Sequence, residues 1–148
     1  MPFVSPSRRC AERISRMHDP DYLPVTAAVI HKGDRILIAR RKQAFMGYRW
    51  EFPGGRPKDN EALDECLKRV IGEELGITIS VGPLISSRKH VINCQAAILL
   101  YAYHAGYVSG DITLSDHDEI AWVTAEDLVK YNFPDPDRQV VQDILKNI

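Results

Sequence analysis

The chain has 148 residues, of which 45% are hydrophobic and 26% are charged, and its formal net charge at pH 7 is −1. This length suits one domain with a real hydrophobic core and gives no reason to seek a second domain. The balance of charges argues against a general nucleic-acid-binding surface, and no apolar run approaches the roughly 18 residues that a membrane span needs.

The cysteines and histidines form no recognisable metal-binding pattern. Cys10, Cys66 and Cys94 have no metal-ligand spacing, and the histidines, among them His117, are interpreted as structural or exposed. An odd, sparse set of cysteines without a secretory signal is typical of reduced thiols in a cytosolic protein. We therefore expect free thiols and a cytoplasmic location.

Residues 1–24 are predicted to form an extension that precedes a domain of residues 25–148. The pattern from Ser7 to Met17 predicts a short helix, and its four arginines make it locally basic. Such a charge would suit a phosphate-rich partner, but a solvated helix or a frayed arm is the commoner fate of a chain terminus. No function is assigned to this extension.

Apolar and β-branched runs beyond position 25 predict strands, and the first two form a hairpin around Gly33. The predicted strands are 25–31, 35–40, 77–81, 84–90, 91–103 and 120–123, and a closing amphipathic helix is predicted at 138–146. Strands on both sides of a central helix, followed by a terminal helix, indicate an α/β fold in which helices cover a mixed sheet.

The central helix is predicted at 62–75, within the most informative stretch of the chain. Gly54 and Gly55 precede it, where glycine permits a sharp turn or a close approach to a ligand. Asn60 is expected to cap the helix and Gly76 to end it. The apolar arc that this helix should bury consists of Leu63, Cys66, Leu67, Val70 and Ile71.

Two adjacent glutamates interrupt that arc, because Glu74 falls inside it and Glu73 lies at its edge. A carboxylate on a buried face is costly unless it has a cation or several donors. A hard, oxygen-seeking ion such as Mg²⁺ would relieve the repulsion between the two. The alternative is a solvated surface pair, which is the usual fate of a Glu-Glu dipeptide.

The same stretch resembles the Nudix box, with the family pattern G-x5-E-x7-R-E-U-x-E-E-x-G-U, where U is a bulky aliphatic residue. The matching positions are Gly55, Glu61, Arg69, Ile71, Glu73, Glu74, Gly76 and Ile77. The preceding E-F-P-G-G, from Glu51 to Gly55, is similar to the MutT-type branch. One position departs from the pattern, because Val70 stands where the family has a glutamate.

The resemblance implies an α/β/α sandwich with a mixed, curved sheet and a metal-dependent hydrolase that uses Mg²⁺ or Mn²⁺. It implies that Glu73, Glu74 and the carbonyl of Gly54 hold the metal, and that Glu61 braces the loop and helix. Arg69 is expected to pair with a carboxylate of the box, although a surface ion pair of little worth is the alternative. Glu51 is expected as a partner outside the ligand set.

Four further residues are assigned by the same resemblance. Arg40 and Arg56 are expected to bind substrate, since a guanidinium offers phosphate a rigid fork of donors. Glu119 lies in an acidic loop where many relatives place another catalytic glutamate, although a polar turn is the alternative. Asp137, in a segment similar to the base-recognising segment of MutT-type enzymes, is expected to read the base, or else to cap the last helix.

The implied reaction converts a nucleoside triphosphate to monophosphate and pyrophosphate. The substrate is expected to be an oxidised purine nucleotide such as 8-oxo-dGTP, or a CTP-like nucleotide, because both present donors to an ionised Asp137. A nucleotide-binding domain without efficient turnover is the alternative that Val70 favours. The expected partner is a small nucleotide, with no stable nucleic-acid binding and no membrane, and the chain is expected to be a monomer or a homodimer.

Overall fold

A computed structural model describes residues 7–45 and 47–147, apart from the side chain of Phe45. Within these residues the α-helices are α1 (Arg8–Ser15), α2 (Leu63–Leu75) and α3 (Asp135–Lys146), and short 3-10 helices lie at Asp19–Asp21 and Glu126–Lys130. The strands are β1 (Leu23–Lys32), β2 (Arg35–Phe45), β3 (Tyr48–Glu51), β4 (Thr78–Asn93), β5 (Ala96–Ser109) and β6 (His117–Val123). Across the described ranges, no helix has the length and apolar character needed to cross a lipid bilayer.

All six strands belong to one mixed sheet. Its order is β3-β2-β1-β5-β4, and β6 pairs with β2. β1 and β5 are parallel, whereas the other pairs are antiparallel. This topology, with helices on both faces, confirms the predicted α/β class.

The two faces of the sheet carry separate hydrophobic cores, because successive side chains of a strand point to opposite sides. On one face, Ala27 and Val29 of β1 belong to the core that α3 covers with Val140, Val141 and Ile144. On the other face, Ala28 and Ile30 belong to the core that α2 covers with Leu67, Ile71 and Leu75. The sheet therefore lies between α2 and α3, as the predicted sandwich requires.

A gap opens in the sheet between β1 and β2. The two strands pair only next to their turn, where His31 faces Ile36 and Lys32 faces Arg35. Further along, the amides of Thr26 and Ala28 donate instead to the carbonyls of Gly55 and Pro53, each at 2.8 Å. The loop 52–62 that follows β3, which we call the inserted loop or, after Gly54 and Gly55, the glycine loop, thus fills the space that a neighbouring strand would otherwise occupy.

The central helix lies where the sequence predicts it, with a different start. Gly76 ends α2 in the left-handed conformation, with φ of 71°, and its amide donates to the carbonyl of Gly72. The predicted cap was wrong in position, because the N-cap is Ala62 and makes no side-chain cap bond. Asn60 has a positive φ of 63° in the preceding turn.

Two strand predictions were wrong. The predicted strands 77–81 and 84–90 are parts of one strand, β4, which continues through Gly82 and Pro83 with a shift of register against β5. The predicted strand 91–103 does not exist as such, because the chain turns at Cys94 and Gln95 before β5 begins. That turn contains no glycine or proline, and its local signal is Asn93, whose side-chain oxygen accepts from the Gln95 amide at 2.8 Å.

The expectation of three reduced thiols was also wrong. Cys10 in α1 and Cys94 in the β4–β5 turn form a disulfide whose Cα atoms are 5.3 Å apart. Cys66, on the buried face of α2, is a free thiol. Pairing across 84 residues depends on the fold and cannot be read from cysteine spacing.

Candidate active site

A cavity of about 640 Å³, which we call the acidic cavity, lies beside β1 and the loop that fills the gap. Its floor includes Thr26 and Ala27 of β1 and the two glycines of the inserted loop. Its ionisable lining residues are Arg41, Lys42, Glu51, Arg56, Glu74, Asp116, His117 and Asp137. Since Glu74 belongs to α2 and Asp137 to α3, residues of both helical layers line the cavity.

Gly54 lines the cavity at a position where no side chain would fit. A Cβ atom on Gly54 would lie 1.9 Å from the carbonyl oxygen of Thr26, far inside contact distance. Thr26 also holds Gly55 in place, since the Thr26 hydroxyl donates to the Gly55 carbonyl at 2.8 Å. The Gly-Gly pair therefore lets the loop backbone approach β1 closely.

Glu74 presents an unpaired oxygen to this cavity. Its Oε2 atom is buried and has no hydrogen-bond partner among the described residues. Burial raises the pKa of Glu74 to about 7; His117 opposes that shift, and the carboxylates of Glu51 and Asp116 add to it. The Glu74 carboxylate is therefore held in a place where its own negative charge is poorly compensated by protein groups.

This environment fits a divalent cation in its donor chemistry. Carboxylate and carbonyl oxygens are the ligands that Mg²⁺ prefers, and a cation would compensate the buried charge of Glu74. No group of three or more His, Cys, Asp or Glu side chains is arranged as a ready-made metal site within the described ranges. The carboxylates line one cavity without converging on a point.

Glu51, which lines the same cavity as Glu74, contacts the side chains of His117 and Arg41. Its Oε2 atom is 2.8 Å from Nε2 of His117, and its Oε1 atom accepts from Arg41 at 3.3 Å. His117 is only 1% exposed and lines the cavity, so it is a buried group of the cavity wall that supports Glu51. The interpretation of His117 as structural is compatible with this placement, but its contact with Glu51 was not foreseen.

Asp137 faces the same cavity from the first turn of α3. Its Oδ2 atom accepts from the backbone amide of Phe52 at 3.0 Å. Burial raises the pKa of Asp137 to about 7, Glu51 adds to the shift, and the bond from Phe52 opposes it. The alternative role of Asp137 as a helix cap was wrong, because Pro134 is the N-cap residue of α3.

Arg69 ties the inserted loop to α2 on the outer side of the cavity. Its Nε and Nη2 atoms donate to the two oxygens of Glu61 at 2.8 and 2.9 Å, and Nη2 also reaches the Arg56 carbonyl at 3.1 Å. Hydrogen bonds from Arg69 and from the Lys58 backbone lower the pKa of Glu61 to about 2. The expected pairing of Arg69 within the box is therefore seen as a bidentate fork.

Glu73 belongs to this Arg69 network and does not line the cavity. Its Oε2 atom is 3.2 Å from Nη1 of Arg69, and 59% of its side chain is exposed. Of the two glutamates expected to hold metal, Glu74 alone lines the acidic cavity.

The side chain of Val70, on α2, packs against the glycine loop. It is 6% exposed, and its two methyl groups lie 3.1 and 3.2 Å from the position of a Cβ atom on Gly55. A side chain at position 70 is therefore directed at the loop that carries the Gly54 carbonyl. Valine fills this space with hydrocarbon where the family pattern has a carboxylate.

Arg40 and Glu119 are brought together, but not in the cavity. Arg40 donates to Asp118 at 2.8 Å and lies 3.4 Å from Glu119. Between β2 and β6 the register shifts here, so that Arg40 faces Glu119 while Arg41 faces His117. Arg41 and His117 line the cavity instead.

The ionisable cavity residues that the sequence analysis does not single out are Arg41, Lys42 and His117, whereas Asp116 lies in the acidic loop from which that analysis selects Glu119. Each is adjacent to, or within three residues of, a residue that was singled out. Alternation along β2 places neighbouring side chains on opposite sides, so the choice between Arg40 and Arg41 required the strand register. The shift of register at this point is a feature that the sequence does not signal.

Comparison with known proteins identifies the family of this chain. A family model described as "NUDIX domain" matches residues 25–143. The chain belongs to the Nudix family. It is 31% identical over 110 residues to the CTP pyrophosphohydrolase of Escherichia coli K12, a match that covers 74% of this chain and 81% of that protein.

A second Nudix relative is the 8-oxo-dGTP diphosphatase of Buchnera aphidicola, which is 31% identical over 128 residues, covering 86% of this chain and 96% of the relative. Among solved structures, the MutT Nudix hydrolase of Burkholderia pseudomallei superimposes with a TM-score of 0.73 at 25% identity, over 82% of this chain and 97% of that one. The chain is therefore a MutT-like Nudix hydrolase by sequence and fold.

Proposed function

We propose that this chain hydrolyses a nucleoside triphosphate to the monophosphate and pyrophosphate in a reaction that depends on Mg²⁺ or Mn²⁺. The observation that carries the proposal is the buried, unpartnered oxygen of Glu74 in a cavity that also contains Arg41, Arg56 and Asp137. Nudix hydrolases generally use divalent metal ions. Relatives named as pyrophosphohydrolases and diphosphatases support the reaction type.

Glu74 and the Gly54 carbonyl are the groups that would hold the cation in the cavity, and Glu73 would join them after leaving Arg69. The bound ion would neutralise the polyphosphate and activate the attacking water. Arg41 and Arg56 line the same cavity and supply guanidinium donors for phosphate oxygens. Arg69 and Glu61 would not contact the cation or the substrate; they hold in place the loop that contains Gly54.

The base is expected at the other end of the cavity, beside α3. Asp137 uses one oxygen for the Phe52 amide, which leaves the other for a donor of the base. Both cytosine and oxidised guanine present such donors, so CTP-like and 8-oxo-dGTP-like substrates remain the two candidates. The two relatives, one acting on each class by name, support keeping both.

The first experiment measures hydrolysis of triphosphates, oxidised triphosphates, nucleotide sugars and ADP-ribose with Mg²⁺, and identifies the products. We expect pyrophosphate release from a triphosphate. Glu74→Gln should lower turnover by about 10²–10³-fold, which is typical for loss of one catalytic electrostatic contact. Glu65→Gln is the matched control, since Glu65 is an exposed residue of the same helix that pairs with Lys68.

Metal binding is tested separately by titrating Mn²⁺ in the presence of a non-hydrolysable nucleotide. Glu74→Gln should lose metal affinity while keeping its fold, because the substitution removes charge at nearly constant shape. Unchanged affinity in this variant would contradict the assignment of Glu74 as a ligand.

Base selection is tested with Asp137→Ala against Asp135→Ala, an exposed residue of the same turn that pairs with Arg138. A buried polar contact left unpaired costs about 1–3 kcal/mol, so discrimination among bases should fall roughly 5- to 150-fold in Asp137→Ala alone. An unchanged preference would mean that the base is read elsewhere.

A nucleotide-binding domain with little turnover is the second candidate, and two observations favour it. Val70 fills with methyl groups a position that carries a carboxylate in the family pattern, and Glu73 is engaged by Arg69. This candidate predicts tight, metal-dependent nucleotide binding without product. It is tested by the same hydrolysis panel together with binding measurements.

The proposed partner is a small-molecule nucleotide, and a cytoplasmic location stays a prediction that rests on the bacterial relatives rather than on reduced thiols. The state of monomer or homodimer also stays a prediction, which sedimentation of the purified chain would test.

A further inference from the structure

The disulfide between Cys10 and Cys94 joins two parts of the chain that little else connects. Cys10 lies in α1, outside the residues matched by the family model, and Cys94 lies in the turn between β4 and β5. Cys10 is the one buried residue of α1. The remaining side chains of that helix are exposed or half-buried.

An eight-residue helix with so little burial depends on its attachment. Isolated helices shorter than about 12–15 residues are marginal in water. Ser7 caps α1 by accepting from the Cys10 amide, but a cap contributes only about 1 kcal/mol. Among the described residues, further links from the extension lie beyond the end of α1: the ion pair of Asp19 with Lys89, the contact of Lys89 with the Tyr22 ring, and the pairing of the first residues of β1 with β5.

We propose that Cys10 and Cys94 form a reversible thiol–disulfide exchange site, which reacts with low-molecular-weight thiols and disulfides, and that reduction releases α1 from the domain. The site is independent of the proposed hydrolysis. No other cysteine competes for either sulfur in the described chain, because Cys66 is buried in α2 beneath the glycine loop.

The exposure of the two cysteines indicates the direction of attack. Cys94 is half-buried in a surface turn, whereas Cys10 is 5% exposed. A thiolate therefore attacks the Cys94 sulfur, the S–S bond breaks, and its electron pair leaves on Cys10 and takes a proton. A second external thiolate then displaces Cys94 from the mixed disulfide, so that two external thiols become one disulfide and the protein gains two thiols.

The position of Cys10 favours it as the leaving sulfur. It lies in the first turn of α1, where the helix dipole stabilises negative charge, and Arg9 and Arg13 are one residue before it and three residues after it. A stabilised leaving thiolate speeds exchange.

The first test counts thiols by intact mass after alkylation. Protein equilibrated with oxidised glutathione and then denatured should add one alkyl group, at Cys66. Folded protein treated with dithiothreitol should add two, and reduced, denatured protein should add three. Three additions in the glutathione-equilibrated protein would overturn the proposal.

The second test measures release of α1 by its sensitivity to trypsin, for which Arg8, Arg9, Arg13 and Arg16 are cleavage points. Reduction should raise the rate of cleavage there about tenfold or more, because a protease needs locally unfolded chain. Cys94→Ser should be cleaved at the fast rate without reductant, and Cys66→Ser should behave like the native chain. An equal rate in the oxidised and reduced forms would overturn the release of α1.

Discussion

Asp137 is a carboxyl group whose surroundings disfavour its charge, and this has a consequence for stability. Burial raises the pKa of Asp137 to about 7 from its ordinary value of 3.8. Between these pH values the unfolded chain releases a proton that the folded chain retains. The free energy of unfolding therefore falls as pH rises through this window, and the contribution is lost above pH 7.

We expect Asp137→Asn to remove this dependence. The amide oxygen still accepts from the Phe52 backbone, but the side chain carries no charge at any pH. The variant should be more stable than the native chain at pH 7.5, by on the order of 1–2 kcal/mol after allowance for solvent in the cavity, and similar to it at pH 4. Denaturant unfolding in EDTA across pH 4–8 measures this; a parallel pH profile for both proteins would contradict it.

Val70 offers a second test at the scale of a single residue. Val70→Glu places a carboxylate in a space that is 6% exposed, against the loop that carries Gly54. Without metal, we expect a loss of on the order of 3 kcal/mol, which is the cost of burying an unpaired charge. Mg²⁺ should restore part of that loss, because an ion that binds the folded state stabilises it.

The same substitution should raise turnover at saturating Mg²⁺, since a positioned general base typically contributes about 10²–10⁴-fold. Val70→Gln is the matched control: it should lose stability without gaining metal dependence or rate. A folded, metal-bound Val70→Glu protein that is no faster than the native chain would favour the nucleotide-binding alternative.

At the scale of elements, the inserted loop and α2 act as one unit because Arg69 joins them. Arg69 contacts Glu61, Glu73 and the Arg56 carbonyl, and thereby holds the segment that contains Gly54. Losing an outer partner of a metal site typically costs 10- to 100-fold in metal affinity or activity. The expected role of Arg69 is therefore to position the loop relative to α2.

We expect Arg69→Gln to weaken metal affinity by about 10-fold while the chain stays folded. Arg69→Lys should restore little of it, because an ammonium group cannot reproduce the fork on Glu61. Lys68→Gln is the control, since Lys68 is an exposed neighbour that pairs with Glu65. Mn²⁺ titration and circular dichroism measure the two properties, and full rescue by lysine would show that charge alone matters.

Elements with strong local signals could be predicted from the sequence, whereas contacts between distant segments could not. The apolar arc of α2, its end at Gly76 and the inward placement of Glu74 follow from helical periodicity. Arg41 rather than Arg40 faces the cavity because of a register shift that leaves no local pattern. Likewise, Cys10 and Cys94 meet only because α1 docks on the β4–β5 turn.

At the scale of the whole molecule, the sheet is what joins the two ends of the acidic cavity. α2 brings Glu74 to one face and α3 brings Asp137 to the other, and each helix is fixed by its own hydrophobic core. A nucleotide that spans the cavity would therefore contact two separately packed layers. The gap between β1 and β2 is the structural condition for this arrangement.

That gap also gives β1 an unusual edge, at which two main-chain amides are protected by a loop rather than by a strand. Thr26 and Ala28 donate to Gly55 and Pro53, so their exchange with deuterium should follow the opening of the loop. Metal and nucleotide should slow exchange at these two amides, and Arg69→Gln should speed it, while amides in the middle of β5 stay unchanged. Hydrogen exchange at the Thr26 and Ala28 amides would then report whether the loop is closed on β1 and the site is assembled.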